Sequence, residues 1–160
     1  MQTQKIYKLA ADIGHKILSK QWHISCAESC TGGGLAFALT SVAGSSQWFK
    51  QSFVTYCNEA KQTMLGVDSA TLEKHGAVSQ QTVEQMALGC AARANAELAV
   101  SISGIAGPGG GSDDKPVGLV WFGFSLDGNI TSTKQVFSGD REQVRLQAIE
   151  FALDYVNHRV

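Results

Sequence analysis

Ser29 and Lys61 are the residues whose types and places could do covalent chemistry. Ser29 follows the short, partly β-branched segment His23 to Ala27 and precedes Cys30, Thr31 and the glycines Gly32, Gly33 and Gly34. A buried strand giving way to a glycine-rich turn and then a helix gathers the amide N–H groups of Cys30 to Gly33 around the serine hydroxyl. Unpaired donors at a helix start suit a developing tetrahedral oxyanion. A serine in that place also serves as a plain helix cap, with the glycines present for tight packing. Both readings stand at Ser29. Lys61 lies just past a second strand, Ser52 to Cys57, in the first turn of the helix that Asn58 is expected to cap. There the helix dipole opposes a positive charge, so the lysine is either solvated and inert or held with a lowered pKa as a general base. A serine nucleophile needs such a base, and the two form a Ser-Lys pair if both strand ends share one edge of a sheet. Tyr56 either fills core or positions these groups and passes a proton through its hydroxyl.

A second glycine cluster runs Gly104-Ile105-Ala106-Gly107-Pro108-Gly109-Gly110-Gly111-Ser112 and leads into Asp113-Asp114-Lys115-Pro116. It lacks the Gly-Lys-Ser/Thr ending of a P-loop, and no helix opens on it as a dinucleotide fingerprint requires. It reads as a nest in which Gly104, Gly107, Pro108, Gly109 and Gly110 hold a phosphate or a flat ring against successive peptide N–H groups. A flexible surface loop is the competing account. Arg141 and Arg145 stand one turn apart at the start of the last helix, either clamping a phosphate or carboxylate or lying on a solvated face. His75 and the Trp48-Phe49 pair are assigned to structure.

The elements that must position these groups follow from hydrophobic spacing. Ile6, Leu9, Ala10, Ile13 and Ile17 mark an amphipathic helix over residues 4 to 20, and Leu35, Ala38 and Leu39 mark another. Val83, Met86, Ala87, Cys90 and Ala91 form the apolar stripe of a helix that Ser79 caps. Leu98 to Ile105 reads as a central strand. Val117 to Leu126 and Ile130 to Phe137 read as strands joined at Asp127-Gly128-Asn129. Asp140 and Gln143 imitate a capping box for a closing helix that buries Val144, Ala148, Phe151, Ala152 and Tyr155. Helices interleaved with strands, then a hairpin, predict an α/β fold, a three-layer α/β/α sandwich with a mixed central sheet. The 160 residues are expected to form one domain.

Thirteen Lys plus Arg against fourteen Asp plus Glu leave no basic excess to neutralise a phosphate backbone, which argues against nucleic acid as a partner. No apolar run approaches the ~18 residues of a membrane span, and the start MQTQKIYK has no apolar core of a signal peptide. A cytoplasmic location and no membrane partner are expected. Cys26, Cys30, Cys57 and Cys90 are then reduced thiols, mostly buried; their spacing is not that of a zinc site, and the four histidines are scattered, so no metal and no cofactor are expected. The 17% charged residues fall below the ~25% of an average domain, which is compatible with subunit contacts in a homo-oligomer.

Ordered blocks across the chain carry a family resemblance. They are Ala27-Glu28-Ser29-Cys30-Thr31-Gly32-Gly33, Gly44-Ser45-Ser46, Val54-Thr55-Tyr56, Lys61, Leu65-Gly66-Val67, Gly76-Ala77-Val78-Ser79, Gly104-Ile105-Ala106-Gly107-Pro108 and Lys115-Pro116-Val117-Gly118. From near residue 4 to near residue 156 the chain resembles the C-terminal domain of the competence-damage protein CinA. For a stand-alone domain of this family the resemblance implies a nicotinamide mononucleotide deamidase. Such an enzyme releases nicotinate mononucleotide and ammonia in pyridine nucleotide salvage. It implies a serine nucleophile at Ser29, a lysine base at Lys61, a supporting tyrosine at Tyr56, and a glycine loop that shapes a nucleotide pocket. It supports a role for the start of the last helix without choosing between Arg141 and Arg145. Gly34 and Cys57 depart from the family pattern, the latter standing where many relatives carry serine. The rival function is a nucleotide-binding or regulatory module without turnover. Hydrolysis through Cys30 is disfavoured because no base is evident for it.

Overall fold

Apolar side chains every third and fourth position wind Gln2–Lys20 into α1, burying Ile6, Leu9, Ala10, Ile13 and Ile17. The chain continues through β1 (Ile24–Glu28), α2 (Gly34–Thr40), a 3₁₀ turn (Ser45–Gln47), β2 (Phe49–Val54), α3 (Asn58–Leu65) and α4 (Ser69–His75). It then forms α5 (Gln80–Ala94), β3 (Leu98–Gly104), β4 (Leu119–Leu126), β5 (Asn129–Val136) and α6 (Arg141–Asn157). The computed structural model describes residues 1–160. No helix is long and apolar enough to cross a membrane.

The five strands form one mixed sheet in the order β2-β1-β3-β4-β5, as the α/β sandwich expectation requires. β1 runs parallel to both β2 and β3, while β3, β4 and β5 alternate in direction. Asp127 and Gly128, at φ 48° and 87°, make the two-residue turn between β4 and β5, the left-handed pairing that matches strand twist.

Strand alternation divides the side chains between two unequal layers. Ile24, Cys26, Leu98, Val100, Ile102, Val120, Phe122 and Phe124 face α1, α2 and α6 in a core of 25 buried residues. The other face carries small residues, Ala27, Ala99, Ser101 and Gly123, and its hydrophobic core, which includes Ala27 and Ala99 with Leu65 of α3 and Val83 of α5, holds only 8 buried residues. There the Ser101 hydroxyl donates to the Val83 carbonyl of α5 at 2.6 Å.

Several boundaries differ from the sequence expectation. β2 starts at Phe49 and ends at Val54, so Tyr56 lies beyond it. Cys57, not Asn58, caps α3, its Sγ accepting the Ala60 N–H at 3.4 Å. α4 carries a single buried residue, Leu72, and shows no periodic stripe by which a sequence could announce it. Phe151 and Tyr155 are only half-buried; they pack on Phe122 and Phe124 with ring centroids 4.7 and 4.0 Å apart.

Candidate active site

Because β1, β2 and β3 are parallel, their C-terminal ends open on one edge of the sheet. From the central β1 the chain goes first to β2 on one side and later to β3 on the other, and the crevice at such a reversal is where open α/β sheets bind ligands. Ser29 sits there, one residue past β1, its N–H donating to the Ile102 carbonyl of β3 at 2.9 Å. It is 7% exposed.

Lys61 reaches the same edge from α3 and is 1% exposed. Its Nζ lies 3.1 Å from Ser29 Oγ, 2.7 Å from the Thr55 carbonyl and 3.2 Å from the Tyr56 carbonyl. No carboxylate pairs with it. Burial therefore lowers its pKa below the ordinary 10.5. The Ser29 hydroxyl also lies 3.4 Å from the Tyr56 carbonyl. In its neutral form the Lys61 amine, donating to the two carbonyls, would keep its lone pair for that hydroxyl, as a general base requires.

Ser29, Cys30, Tyr56 and Lys61 line an open cleft of about 270 Å³ with Ala77, Val78, Ser103, Arg141 and the loop residues Gly104 to Gly107, Gly109 and Gly110. A family model, CinA C-terminal domain, matches residues 6–160. The chain belongs to the CinA C-terminal domain family. It is 56% identical over 154 residues to the nicotinamide-nucleotide amidohydrolase PncC of Enterobacter agglomerans, covering 96% of this chain and 94% of that protein. To the protein of the same name from Escherichia coli K12 it is 49% identical, covering 96% and 93%. The solved structure of the competence damage-inducible protein A from Klebsiella pneumoniae superposes with a TM-score of 0.94 at 37% identity, covering 96% of each chain. That of the competence/damage inducible protein CihA from Agrobacterium tumefaciens gives 0.92 at 45% identity, covering 95% and 93%.

Within this CinA-family domain a carboxylate organises the serine turn. Glu28 is fully buried; Oε1 accepts the Thr31 hydroxyl at 2.6 Å and the Leu35 N–H at 2.9 Å, and Oε2 accepts the Ala36 N–H at 3.1 Å. It thus satisfies the N-terminal donors of α2 and sits at the positive end of that helix. Of the amides expected to hold an oxyanion, that of Gly32 donates to the Ser29 carbonyl, whereas those of Cys30, Thr31 and Gly33 have no protein acceptor; the α2 amides of Leu35 and Ala36 are taken by Glu28. Gly32 and Gly33 hold φ 59° and 98°, the left-handed bend that lets the turn close on Glu28. Periodicity does not single out Glu28. The signal for it is a lone carboxylate in an otherwise uncharged buried strand, seven residues before the Leu35 amide it binds.

Thr31, Gly32, Gly33, Pro108 and Arg145 are not among the residues lining the cleft, whereas Cys30, Gly104, Gly107, Gly109, Gly110 and Arg141 are. Arg145 instead holds the serine turn from behind, donating from Nε to the Cys30 carbonyl at 3.1 Å and from a terminal nitrogen to the Thr31 carbonyl at 3.3 Å. Arg141 donates to the Gly107 carbonyl at 2.8 Å and to the Tyr56 hydroxyl at 3.1 Å. Tyr56 is 60% exposed, so it does not fill core; its backbone carbonyl, not its hydroxyl, meets Lys61. The Cys30 thiol, though in the cleft, is pushed up to about 11 by burial. Ala77, Val78 and Ser103 were not separable from structural residues by sequence pattern, since small residues beside strand ends are common.

Proposed function

We propose that this protein is a nicotinamide-nucleotide amidohydrolase working by a Ser-Lys mechanism in cytoplasmic pyridine nucleotide salvage, with Ser29 as nucleophile and Lys61 as base. The observation that carries the reading is the 3.1 Å approach of a buried amine without a counter-ion to a serine hydroxyl in an open cleft. The names borne by relatives 49% to 56% identical over nearly the whole chain support the substrate class.

Neutral Lys61 takes the Ser29 proton as Oγ bonds to the carboxamide carbon and the carbonyl π pair moves onto oxygen. The Cys30 amide, which has no protein acceptor and belongs to a residue lining the cleft, is the backbone donor assigned to that charge. Collapse breaks the C–N bond, and the Lys61 ammonium returns its proton to the departing nitrogen, which leaves as ammonia. Water, giving a proton to Lys61, then attacks the acyl ester; nicotinate mononucleotide leaves and Ser29 recovers its proton. The 5′-phosphate is assigned to Arg141 and the glycine loop, both of which line the cleft, and this assignment accounts for a preference for the nucleotide over free nicotinamide. Tyr56 holds Arg141 through its hydroxyl. A thiol raised to about 11 is largely un-ionised near neutrality, which leaves Cys30 a poor nucleophile.

Purified protein incubated with nicotinamide mononucleotide and a chelator is expected to release ammonia and nicotinate mononucleotide, and Ser29→Ala or Lys61→Ala to lower the rate by about 10³-fold or more. Calorimetric binding without ammonia release would replace the enzyme with a nucleotide-binding module. Near-normal rates in either variant would remove the Ser-Lys mechanism.

A further inference from the structure

Ser103, the penultimate residue of β3, lines the cleft yet is 1% exposed, and its hydroxyl makes no hydrogen bond within the protein. Ser101, two residues earlier on the same face, has its partner in the Val83 carbonyl. Among the hydroxyl, amine and guanidinium groups lining the cleft, Ser103 alone is unpaired: Ser29 and Lys61 bond each other, and Arg141 bonds Tyr56 and Gly107. With the residue almost wholly covered and no protein partner for its hydroxyl, Ser103 presents an open donor that a ligand in the cleft can complete. The Thr55 hydroxyl is also unpaired but fully enclosed, so no ligand reaches it.

The position relative to Ser29 says what the hydroxyl meets. β1 and β3 pair in parallel with Glu28 opposite Ile102, and the Ser29 N–H continues the ladder to the Ile102 carbonyl. Ser29 and Ser103 are therefore neighbours on adjacent strands, about 4.8 Å apart in the ladder direction and on the same face. Lys61 is anchored on the opposite side of Ser29, at the carbonyls following β2. A carboxamide attacked by Ser29 must present its nitrogen toward Lys61, which returns the proton, and this turns its oxygen toward β3. The α2 amides of Leu35 and Ala36 are committed to Glu28 and offer that oxygen nothing.

We propose that the Ser103 hydroxyl is a side-chain donor of the oxyanion hole, supplementing the Cys30 amide. The inference rests on the amidohydrolase reading and deepens it. Ser103 transfers no proton; its hydrogen bond strengthens as the Ser29 Oγ–C bond forms and charge gathers on the substrate oxygen.

The test compares kcat, KM for nicotinamide mononucleotide, and thermal midpoint in wild type, Ser103→Ala and Ser103→Thr. The alanine variant is expected to lower kcat by about 10²–10³-fold with KM changed less than about threefold. Its midpoint should be unchanged or higher, since no protein hydrogen bond is lost. Threonine keeps the hydroxyl and should restore kcat to within about tenfold of wild type. An alanine variant with wild-type kcat, or with raised KM and unchanged kcat, overturns the assignment. Equal impairment of both variants with a lowered midpoint also overturns it, by making Ser103 a packing residue. A wild-type protein that releases no ammonia overturns the amidohydrolase reading and this inference together, whereas an active wild type with a fully active alanine variant overturns this inference alone.

Discussion

A lysine closed off from water among carbonyl oxygens pays for its place whenever it is charged. The folded-state pKa of Lys61 lies below the 10.5 it regains on unfolding, so between those two values the unfolded chain binds more protons and stability rises with pH. Below the folded-state value the full penalty is present; above 10.5 it is gone. Lys61→Met is therefore expected to stabilise the protein at neutral pH, by an amount that shrinks as pH climbs toward 10.5, while activity falls by about 10³-fold. Urea unfolding of both proteins across pH, read beside ammonia release, checks both signs. In the wild type, kcat/KM should rise with pH through the same lowered ionisation; a flat profile would mean that the amine is not the base. The two arginines separate by the same reasoning from contacts. Arg141→Met removes a cleft-lining cation and should raise KM about tenfold with little change in kcat. Arg145→Met loosens the Cys30 and Thr31 carbonyls and should lower kcat about tenfold with little change in KM. Steady-state kinetics of the pair would reverse the assignment if the pattern were exchanged. Ser29 and Lys61 were legible as candidates in the sequence because each sits just past a strand end, Ser29 before a glycine-rich turn and Lys61 in a first helical turn that disfavours a cation, whereas the choice between Arg141 and Arg145 was not legible. Ser103 was not, because what marks it is the absence of a hydrogen-bond partner, a property of three dimensions, and Glu28 is visible in sequence only as a lone carboxylate in an uncharged strand, not through the bonds it makes.

At the scale of elements, caps decide how firmly the site is held. Asp140 and Gln143 form the reciprocal bonds of a capping box, and Ser79 accepts the Thr82 N–H, so the starts of α6 and α5 were readable from side-chain type alone. The start of α3 was shifted by one residue because cysteine is a weak acceptor and gives no conventional cap signal. Its 3.4 Å contact with Ala60 is long, and α3 carries Lys61. Cys57→Ser places a stronger acceptor at the same point and is expected to stabilise the protein by about 0.5–1 kcal/mol, with deamidation kinetics little changed. Chemical denaturation measures the gain; an equal or lower midpoint would show that the thiol already serves the helix as well as a hydroxyl.

The whole molecule adds what no window of sequence contains, namely strand order. Hydrophobic runs identified all five strands, and the hairpin turn paired β4 with β5, but periodicity cannot say that β1 lies between β2 and β3. That order is what makes neighbours of Ser29, Lys61 and Ser103. The two helical layers then hold the edge by different means. The α1, α2 and α6 layer rests on large apolar side chains, whereas α5 depends on close approach to small ones. A side chain on Gly123 would place its Cβ 2.7 Å from the Val83 carbonyl carbon and collide with the oxygen and with Ser101 Oγ. Gly123→Ala must therefore push α5 outward and weaken the Ser101 bond to Val83, at a cost of about 1–3 kcal/mol. Since α5 is capped at Ser79, directly after the cleft residues Ala77 and Val78, the displacement reaches the cleft wall. The variant should therefore raise KM for nicotinamide mononucleotide as well as lower the thermal midpoint. If stability falls while KM stays at its wild-type value, the thin layer supports the fold alone and the cleft is positioned by the sheet.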